Sequence, residues 1–108
     1  KLFLASTKFS GPLSVLGNCP ALQFIVLKAN SFTVPLPESF VNLTELVPLD
    51  VPNNRLGGMV PNSYFASMLK LERLILESNY LNGLIPFDLP NSLKNFEISN
   101  NAFTGAIP

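Results

Sequence analysis

Seven carboxylates and seven cationic side chains are spread over 108 residues, and histidine is absent. Without an imidazole, no Cys–His or Ser–His nucleophile pair can be built, and histidine ligation of a metal is excluded. The carboxylates do not recur as a pair in a setting that would form a cleft, which general acid–base catalysis needs. No phosphate-cradling loop or metal motif is present either. Cys19 is the single cysteine, so no internal disulfide can form. Within Gly17-Asn18-Cys19-Pro20-Ala21 it reads as a small buried hydrophobe. These residues argue against an enzyme and call for no cofactor. The balanced charge, without a basic stripe, argues against nucleic acid, whose phosphates require clustered Lys and Arg. No apolar run approaches the ~20 residues that cross a bilayer. One modification signal stands out: Asn42-Leu43-Thr44 is the only N-glycosylation sequon, which makes Asn42 the candidate acceptor.

The elements that must position these residues follow from a repeat of about 23 to 25 residues, the range expected of a solenoid. Leu22-x-x-Ile25-x-Leu27-x-x-Asn30-x-Phe32-x-x-x-Leu36-Pro37 is followed by Leu46-x-x-Leu49-x-Val51-x-x-Asn54-x-Leu56-x-Gly58-x-Val60-Pro61. The phrase recurs as Leu71-x-x-Leu74-x-Leu76-x-x-Asn79-x-Leu81-x-Gly83-x-Ile85-Pro86, and then as Leu93-x-x-Phe96-x-Ile98-x-x-Asn101-x-Phe103-x-Gly105-x-Ile107-Pro108. A partial copy, Leu2-x-Leu4-x-x-Thr7-x-Phe9-x-Gly11-x-Leu13, opens the chain. Residues 1–108 therefore read as one domain of repeats 1–21 (partial), 22–45, 46–70, 71–92 and 93–108 (partial). Each repeat buries its apolar face only against its neighbours.

Within a repeat, the first apolar residues bracket a short strand, with the residues between them alternating outward at period two. Past the strand the chain must turn inward, which would leave backbone N–H and C=O groups buried without partners. An amide side chain carries both donor and acceptor, so Asn30, Asn54, Asn79 and Asn101 are expected to form a structural ladder. Thr7 takes the first rung. The glycines Gly11, Gly58, Gly83 and Gly105 suit a bend with positive φ. Phe40 and Leu43, three apart, suit a short 3₁₀ or α turn behind the strands.

These residues resemble the plant-type leucine-rich repeat, whose pattern continues past the Asn as x-Leu-x-Gly-x-Ile-Pro. The resemblance implies an α/β repeat solenoid: a parallel β-sheet on the concave face, short 3₁₀ or α turns on the convex face, and a second short strand near each Leu-x-Gly. It implies a non-catalytic recognition module, a fragment of a plant receptor ectodomain binding a peptide or protein ligand on its concave face. A co-receptor is a further partner, the location extracellular or at the cell surface, and any membrane contact made through a segment outside this sequence. Leu16-Gly17-Asn18-Cys19 resembles a segment common in receptor-kinase ectodomains. The same family includes polygalacturonase-inhibiting and ice-binding proteins, which give the alternatives: a secreted cell-wall enzyme inhibitor, or an ice binder using the column Ser10, Thr33, Gly57, Asn82 and Thr104. The chain departs from the pattern in places. Val34 stands where the second copy should have Gly, and Pro48 and Pro52 each remove a ladder donor from the third strand on the same side, which predicts a weakened sheet there. Paired-cysteine caps are missing, implying a piece of a longer ectodomain.

In the expected register, the outward column between the strand anchors reads Phe3, Val26, Asp50, Ile75, Glu97. The column before it reads Lys1, Phe24, Pro48, Arg73, Asn95, and the one after it Ala5, Lys28, Pro52, Glu77, Ser99. Beyond lie Lys8, Ser31, Arg55, Tyr80 and Ala102. Exposed aromatic and aliphatic anchors beside cations make a mixture typical of interface hot spots. The candidate ligand-binding residues are thus Phe3, Phe24, Val26, Lys28, Asp50, Arg55, Arg73, Ile75, Glu77, Tyr80 and Glu97.

Overall fold

The computed structural model describes residues 2–5 (as backbone), 13–27, 32–33 and 35–104. The Leu-x-Leu phrases form strands β1 (Leu2–Ala5), β2 (Leu22–Val26), β3 (Pro48–Asp50), β5 (Arg73–Ile75) and β7 (Asn95–Glu97). Among the described residues they stack in that order as one parallel five-stranded sheet. Ile25, Leu49, Leu74 and Phe96 are register partners, so equivalent positions of successive repeats lie side by side. The ladder continues past the strands through Leu27 N–H to Asp50 O (2.8 Å), Val51 N–H to Ile75 O (2.9 Å) and Leu76 N–H to Glu97 O (2.8 Å).

The first strand departs from the expected alignment. A bulge lies between Leu2 and Phe3, and Phe3 pairs with Phe24 and Leu4 with Ile25. Phe3 therefore stands in the row of Phe24, not of Val26.

The two prolines act as their chemistry requires. The Asp50 carbonyl accepts from Leu27, the residue just past β2. Positions 48 and 52 alternate to the same side as residue 50, so both missing N–H groups face β2. The β2–β3 register consists of two partner pairs, whereas β3 and β5 share three. The sheet narrows there but stays continuous.

The core lies behind the sheet. Ile25, Leu27, Leu46, Leu49, Val51, Leu56, Leu71, Leu74, Leu76 and Leu81 are all fully buried. Phe40, Leu43, Phe65 and Met68 close it from the convex side. Of the two convex geometries expected, the 3₁₀ form is found, at Leu13–Asn18 and Glu38–Asn42, followed by turns at 62–67; no α-helix occurs among the described residues. Convex side chains also stitch repeats together: Ser39, Ser67 and Ser92 hydroxyls donate to the carbonyls of Ser14, Val41 and Leu71. Cys19 is exposed, contrary to the sequence expectation. Its backbone closes the first 3₁₀ turn onto Leu16 O and accepts from Leu22 N–H, which leaves the thiol directed outward.

The asparagines form the expected ladder. Asn54 Nδ2 donates to the carbonyls of Leu27, Val51 and Pro52, and its Oδ1 accepts from Phe32 N–H. Asn79 repeats this with Val51, Leu76, Glu77 and Leu56 N–H, and Asn101 with Leu76, Ile98, Ser99 and Leu81 N–H. Each amide thus bonds its own turn and the preceding one. Just before each rung, Asn53, Ser78 and Asn100 hold φ of 56°, 58° and 56°. That left-handed residue swings the chain inward so that the next side chain points into the core, and asparagine tolerates it better than most residues. Asn30, Thr7, Val34, Gly11 and Gly105 lie outside the described residues.

A second parallel sheet runs along one flank, formed by β4 (Gly57–Met59), β6 (Tyr80–Leu84) and β8 (Ala102–Thr104). Gly58 and Gly83 have φ of 80° and 81°, as the bend demands. At Gly83 a Cβ would also sit 2.9 Å from Met59 Cγ. Here the register is staggered. Gly58 pairs with Leu81 and Met59 with Asn82, so consensus-equivalent positions are displaced by two residues from one strand to the next. The flank sheet is sheared where the concave sheet is aligned.

Candidate ligand-binding face

The concave sheet turns its outward residues toward solvent in columns fixed by the register Val26–Asp50–Ile75–Glu97 and Pro48–Arg73–Asn95. Phe24, Val26, Asp50 and Glu77 are half-buried, and Arg55, Arg73 and Glu97 are exposed; Tyr80 is exposed too, but it opens β6 and pairs with Gly57 in the flank sheet, not the concave one. Arg73 Nε lies 3.4 Å from Asp50 Oδ2, a diagonal pair across β3 and β5. With the arginine side chain half in water, that pair contributes at most about 1 kcal/mol to stability. Its larger effect is to fix where two opposite charges stand. No ion pair joins Glu77 or Glu97 among the described residues.

The structure corrects the expected exposure in one column. Ile75 is 4% exposed, although it lies on the outward face and outside the main core. Strands about 4.8 Å apart crowd a mid-column aliphatic residue between its partners, here Asp50 and Glu97, so it is walled in and leaves almost no surface open to a ligand. Pro48 and Pro52 are buried in the same way. Phe3 is placed by its backbone pairing alone, and Lys28, like Lys1, Lys8 and Ser31, lies outside the described residues.

Other apolar residues are more open than those of the concave face, and the sequence reading did not single them out. Met59, Leu84 and Phe87 are 71%, 66% and 61% exposed on the flank formed by β4 and β6. They border a small groove of about 160 Å³ with Pro61 and Asn62. The signal was available: Met59 and Leu84 are the variable residues between Gly and the apolar-Pro pair, and period-two alternation along β6 turns Leu84 outward. Asn62 Oδ1 accepts the N–H groups of Phe87 and Asp88, fixing the rim of that groove.

Among the described residues there is no cluster of three or more Cys, Asp or Glu placed to hold a metal ion, and no helix long and apolar enough to cross a membrane. The arrangement offers fixed charges and shallow apolar surface on rigid strands, the chemistry of binding.

A parallel-strand solenoid with an asparagine ladder and a staggered flank sheet defines a leucine-rich repeat protein of the plant type. The family's own sequence profile, Leucine Rich Repeat, matches residues 70–91. The chain belongs to the leucine-rich repeat family. It is similar to Receptor-like protein 31 of Arabidopsis thaliana, at 34% identity over 90 residues, covering 81% of this chain and 10% of that protein. Among solved structures it resembles PEPR1–AtPEP1, with TM-score 0.85 and 32% identity over 99% of this chain and 15% of that one. It also resembles the Arabidopsis receptor kinase HAESA in complex with the peptide hormone IDA and the co-receptor SERK1, with TM-score 0.82 and 36% identity over 88% of this chain and 16% of that one. The chain spans about a tenth of the length of Receptor-like protein 31.

Proposed function

We propose that this chain is a non-catalytic recognition segment of an extracellular receptor, binding a peptide or protein in extended form across its concave sheet. The single observation that carries this reading is the aligned register of the concave strands. It sets Phe24 and Val26 beside Asp50, Arg73 and Glu97 on one rigid surface, with Glu77 two residues past the end of β5. Hot-spot energetics favour such apolar anchors ringed by charge, and the ladder behind them removes most of the ordering cost on the protein's side. The kinship with PEPR1–AtPEP1 and with HAESA bound to IDA and SERK1 supports a peptide or protein ligand, with a co-receptor as second partner.

The ice-binding alternative requires a flat, straight row of small polar groups. Gly57 pairs with Tyr80, Asn82 with Met59 and Ala102, and Thr104 with Leu84, so the column expected for it is not a straight row. The geometry favours the receptor reading.

Selection from a random-peptide display library on the immobilised protein tests the proposal. Enriched peptides should lose binding to an Arg73→Glu, Glu77→Lys double variant and keep it for a convex control, Lys70→Ala. Peptides that bind the double variant as well as the parent would overturn the concave-face reading.

A further inference from the structure

The convex surface carries the one sequence motif that the binding face leaves unused. Asn42 ends the 3₁₀ turn Glu38–Asn42, and Leu43 caps it at φ −85° and ψ 66°. Those angles are an inverse γ-turn, and Thr44 N–H accordingly donates to Asn42 O at 3.0 Å. The turn sorts the tripeptide by side: Leu43 is fully buried, while Asn42 and Thr44 are both exposed. Leu43 thus anchors the sequon in the core and presents the acceptor amide and the hydroxyl that a glycosyltransferase reads to the outside. Beside Asn42 lies an open groove of about 540 Å³ between this turn and the turns at 62–67, lined by Val41, Asn42, Pro61, Ser63 and Tyr64. Its walls combine apolar surface from Val41 and Pro61 with the Ser63 hydroxyl, which suits the two faces of a sugar ring.

We propose that Asn42 carries an N-linked glycan whose first sugar lies in this groove, on the side of the solenoid opposite the binding sheet. The inference rests on the secretory location adopted above. In the attachment step, Asn42 Nδ2 bonds to the anomeric carbon of a lipid-pyrophosphate-linked oligosaccharide. The bond from that carbon to the pyrophosphate oxygen breaks, the lipid pyrophosphate departs, and the amide proton passes to solvent. Attachment accompanies entry into the secretory lumen, so the folded protein must then leave the sugar room. The exposed acceptor and the adjoining groove do so, and the concave columns stay uncovered.

The test is expression of the full-length protein in a secretory host, with a supplied cleavable leader so that entry into the lumen does not depend on the native export signal. The peptide containing Asn42 should carry a glycan mass that N-glycosidase removes. Asn42→Gln and Thr44→Ala should each abolish it while secretion continues. A peptide spanning 61–67 should exchange its amide hydrogens more slowly in the glycosylated protein than in Asn42→Gln. Secreted protein with an unmodified Asn42 would overturn the proposal and leave the binding-face reading standing; equal exchange at 61–67 would overturn the seating of the sugar. Failure of the peptide selection would refute the binding face and leave the glycan result untouched.

Discussion

Asn79 connects four backbone groups through one amide: three carbonyls take its two N–H groups in a shared arrangement, and its oxygen takes Leu56 N–H. The side chain is 4% exposed, so water cannot replace these bonds. Replacing it by alanine leaves buried carbonyls and an N–H without partners, at roughly 1–3 kcal/mol for each group that stays dry. Asn79→Asp should be no better, because a carboxylate has no donor for the three carbonyls. Urea denaturation of both variants checks this; a midpoint unchanged from the parent would show that the asparagine ladder does not support the fold. Residue-scale reading of the sequence found the asparagines because their chemistry is dictated by backbone accounting. It did not find the left-handed Asn53, Ser78 and Asn100, since a serine at one of three rungs masks the pattern. It misjudged Ile75, whose exposure is set by strands that lie far away in sequence, and Cys19, whose thiol the local 3₁₀ turn directs outward.

At the scale of elements, adjacent convex turns are joined by Tyr64. Its hydroxyl donates to Pro37 O one repeat back, and its ring meets Phe65 edge-on at 4.8 Å between centroids. Burial, and secondarily the negative charge of Glu38, push the phenol well above its ordinary value of 10.0. The folded state therefore holds this proton more tightly than the unfolded chain does. The resulting stability is fully present below about pH 10 and is lost as pH rises through the higher folded value. Unfolding midpoints followed from pH 8 upward should fall more steeply above about pH 10 in the parent than in Tyr64→Phe. At neutral pH the variant should lose about 1 kcal/mol with the hydrogen bond. Parallel curves would show that another group sets the alkaline limit. The strands and the convex turn around Phe40 and Leu43 were legible because their periods, two and three, are written in single repeats. The two-residue stagger of the flank sheet was not, since consensus alignment assumes that equivalent residues are also neighbours. Backbone pairing in β4, β6 and β8 obeys the shear of the sheet instead.

Across the whole molecule, the repeats form a stack in which each core layer is covered by its neighbours, so stability should vary along the axis. Leu71, Leu74 and Leu76 are fully buried between layers on both sides. Leu93, Phe96, Ile98 and Phe103, in the last described layer, are only partly buried against the core. Leu74→Ala opens a cavity that neighbouring layers cannot collapse into without breaking the asparagine ladder, so it should cost roughly 2–5 kcal/mol. Phe96→Ala removes a larger side chain, but one already facing water in part, and should cost less despite its size. Native-state hydrogen exchange separates the two: Leu74→Ala should lower protection in β3, β5 and β7 together, because the interfaces on both sides weaken. Phe96→Ala should act on β7 and leave β2 and β3 unchanged. If Phe96→Ala instead lowers protection uniformly, the stack is a single cooperative unit.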